Sequence, residues 1–193
     1  RLPFRLHVPT CILTPMNDIF QSATLTTDRL KLIPFAPEHA TALNAINNEP
    51  EVMEFLTFGE AELLSKTQST IARVRERWGR LGYSWWAIIE RDSEEVIGAA
   101  CLQNVANVEG AELEIGWRLS TSVTGKGFAT EAGKAVADYA FDVIGVDHVI
   151  AVAHPDNIAS HRVMQRVGMT YRGIETHYDE DCTTYVMHKT DRP

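Results

Sequence analysis

Residues 122–132 read Ser122-Val123-Thr124-Gly125-Lys126-Gly127-Phe128-Ala129-Thr130-Glu131-Ala132. They follow an alternating, strand-like segment and run straight into an amphipathic helix pattern. A strand, a glycine-bearing turn and a helix N-terminus together make a place to bind an anion. The turn can aim several backbone N–H groups at one point, and the helix adds partial positive charge there. Gly125 and Gly127 let the backbone approach a phosphate closely. The spacing excludes two phosphate motifs. A Walker A loop needs Gly-Lys-Ser/Thr, and here Lys126 is followed by Gly127. A dinucleotide fingerprint needs a small residue three places beyond its second glycine, where this chain has Thr130.

Other residues able to do chemistry flank this loop. Glu112 and Glu114 lie two apart in the preceding strand, so they share a face, opposite Leu113 and Ile115. Arg118 falls on that same face. Asn157 stands where a strand gives way to a helix and is a favoured N-cap. Ser160 comes one helical turn later and points near the same spot. His154 and His161 flank this place and read as structural. The acidic run Asp179-Glu180-Asp181 reads as a solvated turn.

These residues need elements to position them. Residues 27–34 alternate as a first strand. A helix opens at Pro37 and carries Ala40, Leu43 and Ile46 on one face. A short helix over 51–56 and a long charged one over 60–81 follow, the latter stopped by Gly82. Strands are expected over 84–90, 96–104 and 111–119, with the turn Asp92-Ser93-Glu94-Glu95 between the first two. A helix spans 130–144, with Val136, Tyr139, Ala140 and Val143 on its buried side. A β-branched strand over 147–153 then makes a crossover with the strand before the loop, so those two should run parallel. A helix over 158–167 ends at Gly168, and strands over 169–174 and 183–188 close the chain. Of the pair Trp85-Trp86, alternation sends one ring to the core and the other toward a cleft.

Composition sets bounds. A length of 193 residues suits one domain with a full core, and 45% hydrophobic with 23% charged residues is ordinary for a globular protein. The net charge of −8 argues against a nucleic-acid partner and fits a basic substrate. The three cysteines, Cys11, Cys101 and Cys182, are odd in number and form no CxxC, so neither a disulfide framework nor a metal site is expected, and a reducing cytoplasm fits best. No run is long and apolar enough to span a membrane. Residues 1–24 carry Pro3, Pro9 and Pro15, do not read as a signal peptide, and are expected to form a poorly ordered or surface-packed extension. Residues 25–189 read as the domain and 190–193 as a tail.

The frame Ser122-Val123-Thr124-Gly125-Lys126-Gly127 resembles the acyl-CoA pyrophosphate loop of the GNAT N-acetyltransferases, Gln/Arg-x-x-Gly-x-Gly/Ala, departing at its first position. Gly-Lys-Gly-Phe-Ala-Thr-Glu-Ala is similar to the RimJ/RimL-like branch, the ribosomal-protein N-acetyltransferases. Two further matches support it: Thr27-Asp28-Arg29-Leu30-Lys31-Leu32 at the opening strand, and Asn157-Ile158-Ala159-Ser160-His161-Arg162-Val163-Met164 through Gly168-Met169. Together with Glu114-Ile115-Gly116-Trp117 and the loop, they occur in the family's order, and the resemblance covers residues 25 to 189.

The resemblance implies a mixed α+β fold: a mostly antiparallel twisted sheet whose parallel pair opens as a wedge for acetyl-CoA, flanked by helices. It implies acetyl-CoA as cosubstrate, no metal, and an amine acceptor. The pyrophosphate would lie on Val123, Thr124, Gly125, Lys126, Gly127, Phe128 and Ala129, and Asn157 would contact the pantetheine arm. The amine must lose a proton, and the leaving thiolate must gain one or meet a strong dipole. Glu112 or Glu114 is a candidate base, directly or through water; the plainer reading is a solvated face or a partner for Arg118. Ser160 is the proton donor proposed in this branch. Many relatives place a Tyr seven residues after the Asn, where this chain has Met164, which cannot donate. The branch favours a protein N-terminal amine; a small amine such as an antibiotic or polyamine, or a silent acyl-CoA-binding module, are the alternatives. Monomer and homodimer are both compatible.

Overall fold

The computed structural model describes residues 20–55 and 61–192. Their elements are β1 (Leu25–Thr26), β2 (Leu30–Pro34), α1 (Ala40–Asn47), α2 (Pro50–Met53), α3 (Leu64–Leu81), β3 (Trp85–Glu90), β4 (Val96–Asn104), β5 (Leu113–Leu119), α4 (Phe128–Tyr139), β6 (His148–Ala153), α5 (Ile158–Val167), β7 (Thr170–His177) and β8 (Glu180–His188). The strands form one eight-stranded sheet in the order β1-β2-β3-β4-β5-β6-β8-β7. Every neighbouring pair is antiparallel except β5 and β6. This is the mixed α+β architecture expected, with the crossover through α4 supplying the parallel pair.

That parallel pair is barely a pair. Only Glu114 and Ile150 face each other across it, whereas β6 matches β8 along six positions, from His148–His188 to Ala153–Thr183. Beyond Glu114 the two strands diverge, and their splay opens a cleft into the sheet. Helix α4 is pressed close beside the gap. A Cβ on its Gly133 would come within 2.9 Å of Val167 and 3.2 Å of Trp117, so only glycine permits this approach.

The core explains why the frame is rigid. Trp78, Trp86 and Tyr139 meet edge to face, with Trp78 and Trp86 centroids 4.7 Å apart. Both tryptophans are fully buried, and each buries its N–H with a partner. Trp86 Nε1 donates to the Ala23 carbonyl at 2.7 Å and Trp78 Nε1 to the Trp85 carbonyl at 3.0 Å. Truncating either to Ala should cost about 3–5 kcal/mol.

Several expectations need correcting. Of the extension expected to be poorly ordered or surface-packed, the described part, residues 20–24, is packed: buried Ala23 holds Trp86, and Arg75 stacks on Phe20 at 4.4 Å. The rest of the expected extension, residues 1–19, lies outside the described residues, as do Cys11 and the end of the 51–56 helix. The strand expected over 27–34 begins only at Leu30: the Thr27 N–H donates to the Leu30 carbonyl and the Thr27 hydroxyl oxygen accepts from the Leu30 N–H at 3.0 Å, making a turn between β1 and β2. The helix expected over 130–144 starts earlier, at Phe128, and its last turn, Ala140–Ile144, is a π-helix. The wider turn shifts the side-chain phase, which leaves Val143 63% exposed rather than buried. The final hairpin turns at Tyr178 and Asp179, both at positive φ, so Glu180 and Asp181 belong to β8 and not to an acidic loop. Among the described residues, no helix is long and apolar enough to cross a membrane.

Candidate active site

The loop between β5 and α4 is held at both ends. At its start, the Glu49 carboxylate accepts from the Thr121 N–H and hydroxyl, each at 2.7 Å. Burial works against the Glu49 charge, but these bonds win and hold its pKa below the usual carboxylate value. At its end, Arg29 donates to the Lys126 carbonyl at 2.9 Å and lies 4.5 Å over the Phe128 ring. The same guanidinium pairs with Glu131. These contacts leave the inner side of the loop free. Gly125 and Gly127 adopt φ of 78° and 84°, and Gly127 caps α4 with no side chain bonded across the helix start. Among the described residues, no backbone or side-chain oxygen accepts from the N–H groups of residues 125–130. A run of unpartnered donors at a helix N-terminus is a cradle for phosphate. The donor set suits the pyrophosphate of a nucleotide-like cosubstrate.

This loop forms one wall of a cleft of about 1110 Å³, which also receives Glu114, Trp85, Cys101, Gln103, Arg118, Asn157, Ser160 and Tyr178. The cleft therefore brings together the loop, Glu114, Asn157 and Ser160, all picked out from sequence. Asn157 caps α5, its Oδ1 accepting from the Ser160 N–H at 3.0 Å. Ser160 lines the same cleft.

Glu114 is 7% exposed, at the root of the splay. The Tyr178 hydroxyl donates to it at 2.5 Å and Gln103 Nε2 at 3.4 Å. Burial pushes its pKa up; the bonds from Tyr178 and Gln103 and the nearby His177 only partly offset this. A carboxylate with raised pKa facing a cleft is suited to take up a proton.

Glu112 is different, and its candidacy as base does not survive the geometry. It stands just before β5 and does not line the cleft. Arg172 grips it with two bonds, 2.7 and 3.0 Å, and His148 Nε2 lies 2.8 Å away. The hydrogen bonds from Arg172 hold its pKa at about 2. A carboxylate so firmly charged is a poor base near neutral pH. The partner foreseen for this face, Arg118, is not its partner; the charge pair is made to β7 instead.

Tyr178 was missed in the sequence. It sits at a hairpin tip with φ 57°, an unusual backbone for an aromatic residue. A Tyr next to Asp in a turn carries no signal of its own, because its role depends on the tip of the β7–β8 hairpin reaching past β6 to Glu114 on β5. Of the tryptophan pair, Trp86 is in the core and Trp85 lines the cleft. His154 stacks on Phe55 at 5.4 Å, and buried Met164 packs in the core. Among the described residues no cluster of three metal-binding side chains occurs.

Comparison with known proteins names the class to which this fold and cleft belong. The Acetyltransferase (GNAT) domain profile matches residues 29–170. The chain belongs to the GNAT family of acetyl-CoA-dependent N-acetyltransferases. It is 27% identical over 157 residues to the uncharacterized N-acetyltransferase p20 of Bacillus licheniformis, covering 81% of this chain and 88% of that one. It is 28% identical over 170 residues to the FsC-acetyl coenzyme A-N(2)-transacetylase of Aspergillus fumigatus, covering 81% and 68%. Among solved structures, the RimL ribosomal L7/L12 α-N-protein acetyltransferase in complex with coenzyme A superposes with a TM-score of 0.70 at 18% identity, covering 86% and 97%.

Proposed function

We propose that this chain transfers the acetyl group of acetyl-CoA to the N-terminal amine of a protein. The observation that carries the cosubstrate half is the run of unpartnered N–H groups at residues 125–130, set on a loop fixed by Glu49 and Arg29. Val123, Thr124, Gly125, Lys126, Gly127, Phe128 and Ala129 would hold the pyrophosphate, and Asn157 the arm that leads to the thioester. Glu114 would accept the amine proton, with Tyr178 and Gln103 orienting its carboxylate. Ser160 would give its hydroxyl proton to the departing thiolate and be reprotonated from solvent, as Glu114 gives its proton back to solvent. Positioning of amine against thioester supplies much of the rate.

The acceptor half rests on the likeness to the RimL structure and on the charge of the cleft. Glu51, Glu54, Glu62, Glu114 and Glu180 line it against Arg118, Arg162 and Arg166, an acidic excess that draws in a cationic amine and helps it bind before it is deprotonated. A small-amine acceptor is the second reading; the Aspergillus relative is named for transfer to an N(2) position and not to a protein. One experiment separates them. Purified protein and acetyl-CoA are given a set of peptides with free N-termini and a set of small amines, and CoA release is followed. Faster transfer to the peptides, with the acetyl group found on the α-amine by mass spectrometry, supports the proposal. Transfer to small amines alone replaces it by the second reading, and CoA binding without transfer to any amine leaves a silent binding module.

A further inference from the structure

The cleft holds a cation that the transfer chemistry above does not use. Arg118 is on the same face of β5 as Glu114 and Gly116. Its guanidinium lies 4.6 Å from the centre of the Trp85 ring. That ring is itself fixed, its Nε1 donating to Gln103 Oε1 at 2.9 Å. Gln103 in turn donates to the Tyr178 hydroxyl at 3.0 Å and reaches Glu114 at 3.4 Å. Arg118 is thus seated on one continuous floor with Glu114. Four strand positions put their Cα atoms about 13 Å apart. Trp85 pairs with Cys101, which pairs with Gly116, so a guanidinium over Trp85 leans back toward Glu114.

Among the described residues, the Arg118 side chain makes no hydrogen bond and no ion pair, and its Nε is enclosed without a partner. Glu62 is near enough to favour its charge. Glu62 is committed elsewhere, however, accepting from Asn47 at 3.0 Å and from the Thr67 hydroxyl at 2.5 Å. A half-buried guanidinium with no oxygen to bind carries an uncompensated desolvation cost. An oxygen brought in by the acceptor would offset it.

We propose that Arg118 recognises the acceptor by donating to a main-chain carbonyl oxygen just behind the amine that lies at Glu114. This deepens the reading of a protein N-terminus as acceptor and rests on it. The oxygen is a neutral carbonyl and not a free carboxylate, because Glu62 lies near enough to favour the Arg118 charge and would repel a carboxylate placed beside it. Arg118 is a specificity residue here, with no part in moving the proton.

The test compares three acceptors with acetyl-CoA: a tetrapeptide amide with a free N-terminus, its analogue with the first carbonyl groups reduced to methylene, and the free amino acid. Wild type should prefer the peptide over the reduced analogue by about tenfold or more in kcat/KM. Arg118→Met should compress that ratio to within about threefold, mainly through the KM of the peptide, and Arg118→Lys should recover part of it. Calorimetry with acetyl-CoA reports whether each variant is folded. An unchanged ratio in Arg118→Met overturns the proposal, as does a wild-type preference for the free amino acid. If the variants do not fold, the wild-type ratio decides: no preference for the peptide overturns it. Failure of every amine while acetyl-CoA still binds fells the acetyl-transfer reading and this proposal with it. Transfer without discrimination fells this proposal alone.

Discussion

Arg29 and Glu131 are 102 residues apart in the chain and joined three ways in the fold. The Arg29 N–H donates to Glu131 Oε1 at 2.9 Å, its Nε to Oε2 at 2.7 Å, and its second amino group lies 2.6 Å from Oε2. The Thr27 hydroxyl adds a fourth bond at 2.6 Å. The opening Thr-x-Arg motif is thus the anchor of the Thr130-Glu131 motif. Burial works against the Glu131 charge, but the bonds from Thr27 and Arg29 win, and its pKa falls below the ordinary glutamate value of 4.5. Its contribution to stability is therefore fully present above pH 4.5 and is lost as pH falls through the lower folded value. Arg29→Ala should raise the KM for acetyl-CoA by about fivefold to tenfold with a smaller change in kcat, an effect of about 1 kcal/mol that fits a partly exposed pair. Steady-state kinetics at saturating acceptor check this. An unchanged KM would show that the clamp serves only the fold.

Gly127 offers a controlled test of the loop. Its φ of 84° taxes any side chain, and so does the φ of 82° at Gly145, far along the chain from the loop, with nothing within 4 Å of an added Cβ. Gly127→Val and Gly145→Val should each lower stability, by about 1–2 kcal/mol. Only Gly127→Val should weaken acetyl-CoA binding, by tenfold or more, as measured by calorimetry. Equal affinities in the two variants would remove the loop from the binding site.

For the base, two carboxylates two residues apart should behave in opposite ways. Glu114→Gln should depress the rate most near neutral pH and recover as pH rises, when free amine becomes available without help. Tyr178→Phe removes a donor to the ionised form of Glu114, so its already raised pKa should climb further and the acidic limb of the rate profile should move to higher pH. Glu112→Gln should leave the profile in place and cost about 1 kcal/mol of stability, since it breaks a partly exposed pair with Arg172. With the folded pKa of Glu112 at about 2, that contribution is present above 4.5 and lost between 4.5 and about 2. Overlaid profiles for Glu114→Gln and wild type would exclude Glu114 as the base.

Ser160→Ala separates proton donation from capping. The cap bond uses the Ser160 N–H, which alanine keeps. The variant should therefore fold normally and bind acetyl-CoA as before, while its maximal rate falls by about tenfold or more. A rate within about twofold of wild type leaves less than about 0.5 kcal/mol at the transition state, too little for an acid. Asn157→Ala, by contrast, should lose about 1 kcal/mol of stability with its cap.

Local chemistry made much of this protein legible before any coordinates. The glycines at 125 and 127, the Asn157 cap and the helix stop at Gly168 are short-range features, in which neighbouring residues dictate backbone angles. Periodicity likewise placed β4 and α5 at their observed bounds. The sequence could also put Glu112 and Glu114 on one face. It could not tell them apart, because the difference comes from partners far along the chain. Arg172, 60 residues away, fixes the charge of Glu112, and Tyr178, 64 residues away, covers Glu114. Burial and pairing are sums over neighbours that only the closed sheet supplies. The splay beyond Glu114 and Ile150 is of the same kind: it is a register between two strands joined by a helix, and neither strand encodes it alone.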